Sequence, residues 1–308
     1  MGRKMLKRTI EISQTPAYVC LRNRQLQFEL EDGSQSQVAC EDTGFLIVDH
    51  PRVKYSHSAL VAIAEHGGVT VLCGAGHLPD AVILPVSGHS LIAERQRRQW
   101  QMSQPLQKRI WQQIVRAKIL GQVSMLSNAS AAAKRMRNLA GTVKSGDSSN
   151  NEAHAAKLYW ADWLLGSELD PALTAEFRRI PGGGGINALL DYGYSILRAA
   201  VARAIVAAGM TPVCGVYHRN RSNSFCLADD LVEPLRPIVD DRVRTLVCDG
   251  VRDIDSKAKQ AILGLLTLEL TVADRSGPLM VALSRYIQSF IDVMEEKGGR
   301  LEIPVPCN

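Results

Sequence analysis

The hydrophobic period of the chain changes near residue 85, and this change limits the possible folds more than any other feature of the sequence. Before it, short runs rich in β-branched and aromatic residues are separated by turn residues. After it, apolar residues recur every three to four positions in long stretches rich in Gln, Arg, Leu and Ala. We therefore expect an α+β protein in which a small, mostly β domain precedes an all-α domain.

Turn and linker residues set the predicted boundaries. We predict a β-rich domain over residues 1–85, a linker over 86–92, an all-helical catalytic domain over 93–297 and a flexible tail over 298–308. In the first domain, the turn residues around Gly33 predict a hairpin. The apolar face of Ser58 to Glu65, which stops at two glycines, predicts one helix.

The helical part contains one strongly patterned segment and two interruptions. Residues 195–208 carry a single apolar stripe that ends at Gly209, which predicts a helix with a glycine stop. Residues 141–151 are small and polar, and residues 181–185 include four consecutive glycines. Both segments are predicted to be loops.

Composition excludes several classes of protein. A hydrophobic fraction of 46% is too high for a disordered chain, and the longest apolar stretches are interrupted by Arg198 and Arg203, which argues against a membrane span. The seven cysteines are never closer than 12 residues, so they form neither a CxxC zinc motif nor a dense disulfide framework. No signal-peptide core is visible, and we expect a cytoplasmic protein with reduced thiols.

The positive charge is concentrated in one stretch. Residues 1–90 hold 8 basic and 9 acidic side chains, residues 91–150 hold 11 and 2, and residues 151–308 hold 17 and 20. A solvated helix face would explain such a stretch. Because only Glu94 and Asp147 offset the charge locally, binding of a polyanion such as nucleic acid explains it equally well.

A second cluster combines a histidine with carboxylates. Asp230 and Glu233 share one face if their segment is helical, and His218 precedes them in the same segment, followed by Arg219 and Arg221. One imidazole and two acids suit Mg²⁺ or Mn²⁺, with positions left for water and phosphate. Solvated helix acids and an ordinary histidine are the alternative interpretation.

Glu152 is the candidate for a third ligand. It follows a run of N-cap residues, so an acid that complements the helix dipole is the alternative. His154 would point away from Glu152 on a helix and is predicted to be a surface or packing residue. Arg178 and Arg179, before the glycine-rich segment, could contact phosphates but are not part of the predicted site.

Three motifs, in order along the chain, resemble those of a known family. They are Glu152-x-x-Ala155-Ala156-Lys157-x-Tyr159-Trp160, the segment Ile186 to Tyr194, and the block from His218 to Asp240. Together they resemble the CRISPR-associated integrase of spacer acquisition, the Cas1 family, and the resemblance extends over the whole chain. The block around His218 is most similar to the branch that accompanies the large RNA-guided effector nuclease, a type II-like system.

The resemblance implies a metal-dependent site. The matching ligands are Glu152, His218 and Glu233, with Mg²⁺ or Mn²⁺, and Asp230 matches an acid that often assists. The implied reaction is attack by the 3′-hydroxyl of a prespacer duplex on a phosphodiester at the edge of a CRISPR repeat. The predicted contacts to the DNA backbone are Arg95, Arg98, Lys134, Arg135, Arg137, Arg219 and Arg221.

The resemblance also implies partners. These are prespacer and repeat DNA, a second copy of the chain paired through the β domains, and a small Cas2 dimer that bridges two such dimers, with the effector nuclease and an accessory adaptation protein as further candidates. Two residues depart from the family pattern: Tyr217 replaces a frequent second histidine and Asp191 a common asparagine. A structure-specific endonuclease and a non-enzymatic DNA-binding scaffold remain as alternatives.

Overall fold

The computed structural model describes residues 7–86, 89–165, 174 and 176–307. Residues 87 and 88 of the predicted linker, and residue 308 of the predicted tail, lie outside the described residues. The chain separates into two compact units, Met1–Ile92 and Ala93–Asn308. Among the described residues, no helix is long and apolar enough to cross a membrane.

The first unit is built from eight strands, one α-helix and a 3₁₀ turn, Cys40–Asp42, in its described part. In chain order the strands and the helix are β1 (Arg8–Ile12), β2 (Ala17–Arg22), β3 (Gln25–Leu30), β4 (Gln35–Ala39), β5 (Thr43–Val48), β6 (Lys54–Tyr55), α1 (His57–Glu65), β7 (Val69–Cys73) and β8 (Pro79–Ile83). One sheet has the order β1-β5-β7-β8 and the other has the order β4-β3-β2-β6.

The two sheets and α1 share one hydrophobic core. Every residue of β5 is buried, because this strand has neighbours on both edges and both of its faces are covered. Val19 and Leu26 from one sheet, Leu46 from the other and Ile63 from α1 belong to the same cluster of buried side chains. The predicted β-rich N-terminal part and its single helix are confirmed.

The predicted hairpin joins β3 to β4, which pair in an antiparallel register. Gly33 has φ +82°, a conformation that glycine adopts without strain. The Asp32 carboxylate accepts hydrogen bonds from the backbone N–H and the hydroxyl of Ser34, at 2.8 and 2.6 Å. The turn is thus closed by the Asp-Gly chemistry that predicted it.

The second unit is mainly helical. Its helices in the described residues are α2 (Ile92–Trp100), α3 (Gln104–Ser124), α4 (Ala131–Gly141), α5 (Asn151–Asp162), α6 (Ile186–Ala207), α7 (Cys226–Val232), α8 (Arg236–Cys248), α9 (Ser256–Leu263) and α10 (Leu279–Met294). The two longest helices, α3 and α6, pack their apolar residues inside the unit. The predicted segment 195–208 is the second half of α6, and Gly209, with φ +74°, follows its end as expected.

The sequence predicted an all-α second unit, but this unit also contains a small sheet. Strands β9 (Glu269–Val272), β10 (Arg275–Pro278) and β11 (Val305–Pro306) form an antiparallel sheet in the order β10-β9-β11. The signal was a short alternation in β9, where Leu270 and Val272 are buried and Glu269 is exposed. Four residues are too few to distinguish the alternation of a strand from the last turn of a helix.

The prediction of a flexible tail over 298–308 is wrong for its described part. The tail forms β11, and the residues just before this strand are hydrogen-bonded to the rest of the unit. Leu301 is buried, and its backbone N–H donates to Gln113 Oε1 at 2.9 Å. The next amide, that of Glu302, donates to the buried Ser289 hydroxyl at 3.0 Å. Pro306 is tolerated because β11 is an edge strand with one neighbour.

The glycine-rich segment at 181–185 is a loop, as predicted, but it is tied to α6. The Asn187 side chain accepts a hydrogen bond from the Ile180 amide at 2.8 Å. Asp191 accepts one from the Gly182 amide at 2.7 Å and pairs with Arg179. Asp191, which departs from the family pattern, therefore holds both this loop and Arg179.

Candidate active site

Glu152 lies in the first turn of α5, and the chain before the helix fixes its backbone. Asp147 Oδ1 and Oδ2 accept hydrogen bonds from the amides of Asn151 and Glu152, at 2.9 and 3.0 Å. Residues 145–147 form a 3₁₀ turn within the predicted 141–151 loop. The sequence predicted that the polar run before the helix, Ser148 to Asn150, would cap it. The cap is instead supplied by Asp147.

Glu233 begins a 3₁₀ turn, Glu233–Leu235, between α7 and α8. Only 5% of the residue is exposed, so its carboxylate needs compensating charge. Arg236 Nη2 supplies part of it at 3.0 Å from Glu233 Oε1. Glu233 Oε2 is buried and accepts no hydrogen bond from the described residues. This oxygen faces the second cation, Lys118.

Lys118, from the middle of α3, connects the two glutamates. Its Nζ lies 2.5 Å from Glu152 Oε1 and 2.6 Å from Glu233 Oε2, so one ammonium group joins carboxylates that are distant in sequence. The contact to Glu233 is an ion pair without hydrogen-bond geometry. Sequence reasoning placed Lys118 in the basic stretch and missed this role.

The charges in this cluster stabilise one another. Burial opposes ionisation of Glu233, but Lys118 and Arg236 outweigh it and lower the pKa of Glu233. Burial likewise opposes the charge on Lys118, and the two glutamates outweigh it and raise the pKa of Lys118. Lys118 and Glu233 therefore both stay charged at neutral pH, which is the expected state of a paired, desolvated cluster.

His218 is held by Asp230, which is fully buried on α7. His218 Nδ1 lies 2.6 Å from Asp230 Oδ1, and the same oxygen accepts the His218 amide at 3.1 Å. Asp230 Oδ2 accepts the amides of Val216 and Tyr217, at 2.6 and 3.0 Å. Asp230 is thus a positioning residue for the segment 216–218, and its oxygens are already engaged.

The contact with Asp230 determines what His218 can do. The hydrogen bond to Asp230 raises the pKa of His218, against the effect of partial burial. Because Nδ1 faces the carboxylate, Nε2 is the nitrogen that could coordinate a cation once the ring is neutral. A carboxylate behind the ligating imidazole is the usual arrangement in metal sites.

All four predicted site residues are thus linked electrostatically, since Asp230 pairs with His218. Glu152 and Glu233 share Lys118, and the charges of His218 and Glu233 each affect the pKa of the other. Within the described ranges, no three His, Cys, Asp or Glu side chains are grouped closely enough to hold a metal ion. The ligand set Glu152, His218 and Glu233 stays a prediction.

The donors nevertheless suit a divalent cation. Two carboxylates and one imidazole nitrogen are ligands that Mg²⁺ or Mn²⁺ accepts. The buried Glu233 Oε2 accepts no hydrogen bond from the described residues and already faces a positive charge, that of Lys118. The residues present therefore suit the ion by donor type, and the Lys118 ammonium occupies the place between the two carboxylates.

All three motifs meet at a second buried acid, Asp240, which connects to this cluster. The Tyr159 hydroxyl donates to Asp240 at 2.9 Å, and the Tyr194 hydroxyl donates to the second oxygen of the same carboxylate. Burial raises the pKa of Asp240 to about 6 in spite of these bonds. The Arg236 guanidinium stacks on the Tyr194 ring at 4.7 Å and so connects this network to Glu233.

The predicted DNA-contacting residues all lie in the second unit, but they differ in how far other residues hold their side chains. Arg95 is anchored to the Ala208 carbonyl at 2.6 Å, and Arg98 pairs with Glu94 one helical turn away at 3.1 Å. The remaining five are exposed: Lys134, Arg135, Arg137, Arg219 and Arg221. His154 is exposed on α5, as predicted.

Sequence comparison identifies the family. The model of the family "CRISPR associated protein Cas1" matches residues 10–266. The CRISPR-associated endonuclease Cas1 of Neisseria meningitidis serogroup C (strain 8013) is 33% identical over 296 residues, which is 94% of this chain and 94% of that protein. The chain therefore belongs to the Cas1 family of CRISPR-associated nucleases and integrases.

Solved structures share the fold at low sequence identity. A casposase bound to its integration product superposes with a TM-score of 0.81 at 17% identity, covering 97% of this chain and 93% of the casposase. A Cas1 protein from Thermotoga maritima has a TM-score of 0.75 at 14% identity, covering 94% and 97%. A chain of a Cas6-RT-Cas1–Cas2 complex has a TM-score of 0.78 at 17% identity, and the match covers 98% of this chain and 36% of that one.

Proposed function

We propose that this protein integrates prespacer DNA into a CRISPR array by transesterification. A 3′-hydroxyl of the prespacer attacks a phosphodiester at the repeat edge, a new phosphodiester forms, and the 3′-oxygen of the cleaved strand leaves. The number of ester bonds is conserved, so no nucleotide cofactor is consumed. The observation that carries the proposal is the meeting of Glu152 and Glu233 at a single positive charge, with His218 close enough to affect the pKa of Glu233.

Glu152, His218 and Glu233 are the proposed ligands of Mg²⁺ or Mn²⁺. When bound, the ion would favour ionisation of the attacking hydroxyl and stabilise negative charge on phosphorus. Asp230 engages His218 Nδ1, which leaves Nε2 as the ring nitrogen for the ion, and Arg236 holds one oxygen of Glu233. In the absence of the ion, Lys118 offsets part of the negative charge of the two carboxylates, and after moving aside its ammonium would be available to phosphate oxygens.

The proposed substrates and partners follow from the family and the charge. The exposed basic residues of the second unit would bind the DNA backbone, with a steep salt dependence. The likeness to a chain of a complex that contains Cas2 supports a Cas2 partner. The pairing of two copies through the β-rich units, bridged by Cas2, is what the family resemblance implies. The block around His218 supports the type II-like branch, with an effector nuclease and an accessory adaptation protein as further partners in the cytoplasm.

Hydrolysis is the second candidate activity, because the curated relative from Neisseria meningitidis is named an endonuclease. Water can replace the attacking hydroxyl at the same ions and ligands. Joined products distinguish the two activities, since hydrolysis yields none.

The test is strand joining with a prespacer duplex that has free 3′-hydroxyl ends, a supercoiled repeat plasmid, and the Cas2 partner. Glu152→Ala and His218→Ala should lower joining at least about 100-fold while DNA binding persists. EDTA should abolish joining, and Mg²⁺ or Mn²⁺ should restore it. His154→Ala and Glu269→Gln, which change exposed residues, are the matched controls. Joining that persists in Glu152→Ala contradicts the proposal, and cleavage without joining by the wild type favours the nuclease.

A further inference from the structure

An aromatic pair lies beside the candidate site and has no part in the chemistry proposed above. The rings of Trp111 and Tyr217 are parallel within 1°, with centroids 4.1 Å apart. Trp111 is 3% exposed, whereas Tyr217 is 52% exposed. Since Trp111 covers one face of the Tyr217 ring, the exposed surface includes the opposite face.

The Tyr217 ring is held in place before anything binds. Its backbone amide donates to the buried Asp230 carboxylate at 3.0 Å. A side chain at Gly215 would collide with the His218 carbonyl and with Asp230, so the segment passes close to its support. A ring that is already ordered loses little conformational entropy when a ligand stacks on it, so this preorganisation favours ligand binding.

The space beside the ring is basic. A cleft of about 330 Å³ runs along α3 and the 216–219 segment. None of the described residues that line it is acidic, and the lining side chains are Gln104, Gln107, Lys108, Trp111, Val216, Tyr217 and Arg219, together with Gly146. Cationic and amide groups around an aromatic face are the features that bind single-stranded nucleic acid.

The cleft and the carboxylate cluster lie along the same face of α3. Trp111 and Lys118 are seven residues apart, which places them on one face about 10 Å apart along the helix. The His218 ring is also edge-on to Tyr217, with centroids 5.5 Å apart. A base on Tyr217 would therefore lie within a few nucleotides of the Glu152–Glu233 site.

We propose that the outer face of Tyr217 is a stacking subsite for an unpaired nucleobase near the reacting 3′ end of the DNA strand. Lys108 and Arg219 contact the adjoining phosphates, and stacking sets the position of the strand relative to His218. A residue that only completed the core would be covered on both faces, and Tyr217 is covered on one. The subsite rests on the proposed function, because it places the strand that this function joins.

The experiment is binding of a duplex with a short single-stranded 3′ overhang that carries 2-aminopurine at one of its last three positions. It is done with the full-length protein in EDTA, so that no joining occurs. Stacking on Tyr217 quenches the fluorescence at one of these positions. Tyr217→Phe should keep the quenching, and Tyr217→Leu should abolish it and weaken binding roughly 5- to 100-fold. Tyr55→Leu, at an exposed tyrosine of the first unit, is the control for a lost aromatic ring.

An abasic residue at the quenched position gives the second arm. The abasic residue should weaken binding by the wild type but not by Tyr217→Leu, because the substitution has already removed the base–ring contact that the abasic residue removes. Equal quenching in wild type and Tyr217→Leu, or an equal abasic penalty in both, overturns the subsite. These readouts do not need catalysis. If the wild type stacks the base but joins no strand in Mg²⁺ or Mn²⁺, the proposed function fails while the subsite stands.

Discussion

The two sides of the candidate site are held by different kinds of contact. On the histidine side, Asp230 accepts three backbone amides and the His218 ring, and the acid is fully buried. On the glutamate side, the carboxylates are held mainly by long cationic side chains, those of Lys118 and Arg236. The histidine side is therefore fixed by the fold, and the glutamate side by whichever cation is present.

This difference suits the proposed exchange of the Lys118 ammonium for a divalent ion. Backbone amides cannot leave a buried carboxylate without disrupting the loop, so His218 stays in place whatever occupies the site. A lysine ammonium on a flexible four-carbon stem can withdraw and leave two carboxylates for another ion. One half of the site is thus preorganised, and the other half can change its partner.

The largest effect should come from the histidine side. Asp230→Ala removes the acceptor of the amides of Val216, Tyr217 and His218, and should lower the free energy of unfolding by about 4 kcal/mol or more. Asp229→Ala is the matched control, because the Asp229 carboxylate contacts the side chains of Asn223 and Arg198, and its loss should cost about 1 kcal/mol. Denaturant unfolding measures both. Equal losses in the two variants would show that the backbone contacts of Asp230 carry no special weight.

A smaller effect is expected at Lys118. Lys118→Met leaves Glu233 with one cation and Glu152 without its ammonium partner, and should lower the free energy of unfolding by about 3 kcal/mol in EDTA. If a divalent ion occupies the same place, Mn²⁺ should raise the melting temperature of Lys118→Met more than that of wild type. Lys144→Met, at an exposed lysine, should change stability by less than about 0.5 kcal/mol. If Lys118→Met is as stable as wild type in EDTA, the view that cationic side chains hold the two glutamates in place is wrong.

The sequence predicted His218, Glu152 and Glu233 but missed Lys118, and the reason is physical. The three predicted residues lie in motifs that resemble those of a family, whereas Lys118 lies in a stretch where basic residues are common. Its signal was position: Ile114, Lys118 and Gln122 recur at helical spacing on the buried face of α3. A lysine in an apolar stripe needs a buried partner, and its sequence neighbours offer none.

Local patterns predicted the fold where the segment was long enough to show its period. The β-rich first unit and the helix around Ser195 to Ala208 were found this way, since each repeats its pattern several times. The β9–β10 hairpin and the tail strand β11 were missed because they span a few residues each. Their pairing joins Thr271 to Val305, a contact that no local pattern encodes.

The smallest predicted effect concerns Asp240, behind the glutamate side. Burial raises its pKa to about 6, whereas an unfolded aspartate titrates near 4. The folded state therefore binds the proton more tightly. The stabilisation that Asp240 contributes is complete below about pH 4 and is lost as the pH rises through about 6. The total change over this window is about 2–3 kcal/mol.

Asp240→Asn should remove this part of the pH dependence, because an amide does not titrate. Urea unfolding of both proteins at intervals from pH 4 to 8 gives the difference in stability, in which the titrations common to both cancel. His218→Gln is the control: the pKa of His218 is also raised, so its contribution is lost at higher pH, and this variant should keep the change between pH 4 and 6. A wild-type curve that runs parallel to that of Asp240→Asn over the acid range would mean that Asp240 is solvated. The buried network that connects it through Tyr194 and Arg236 to Glu233 would then not support the glutamate side.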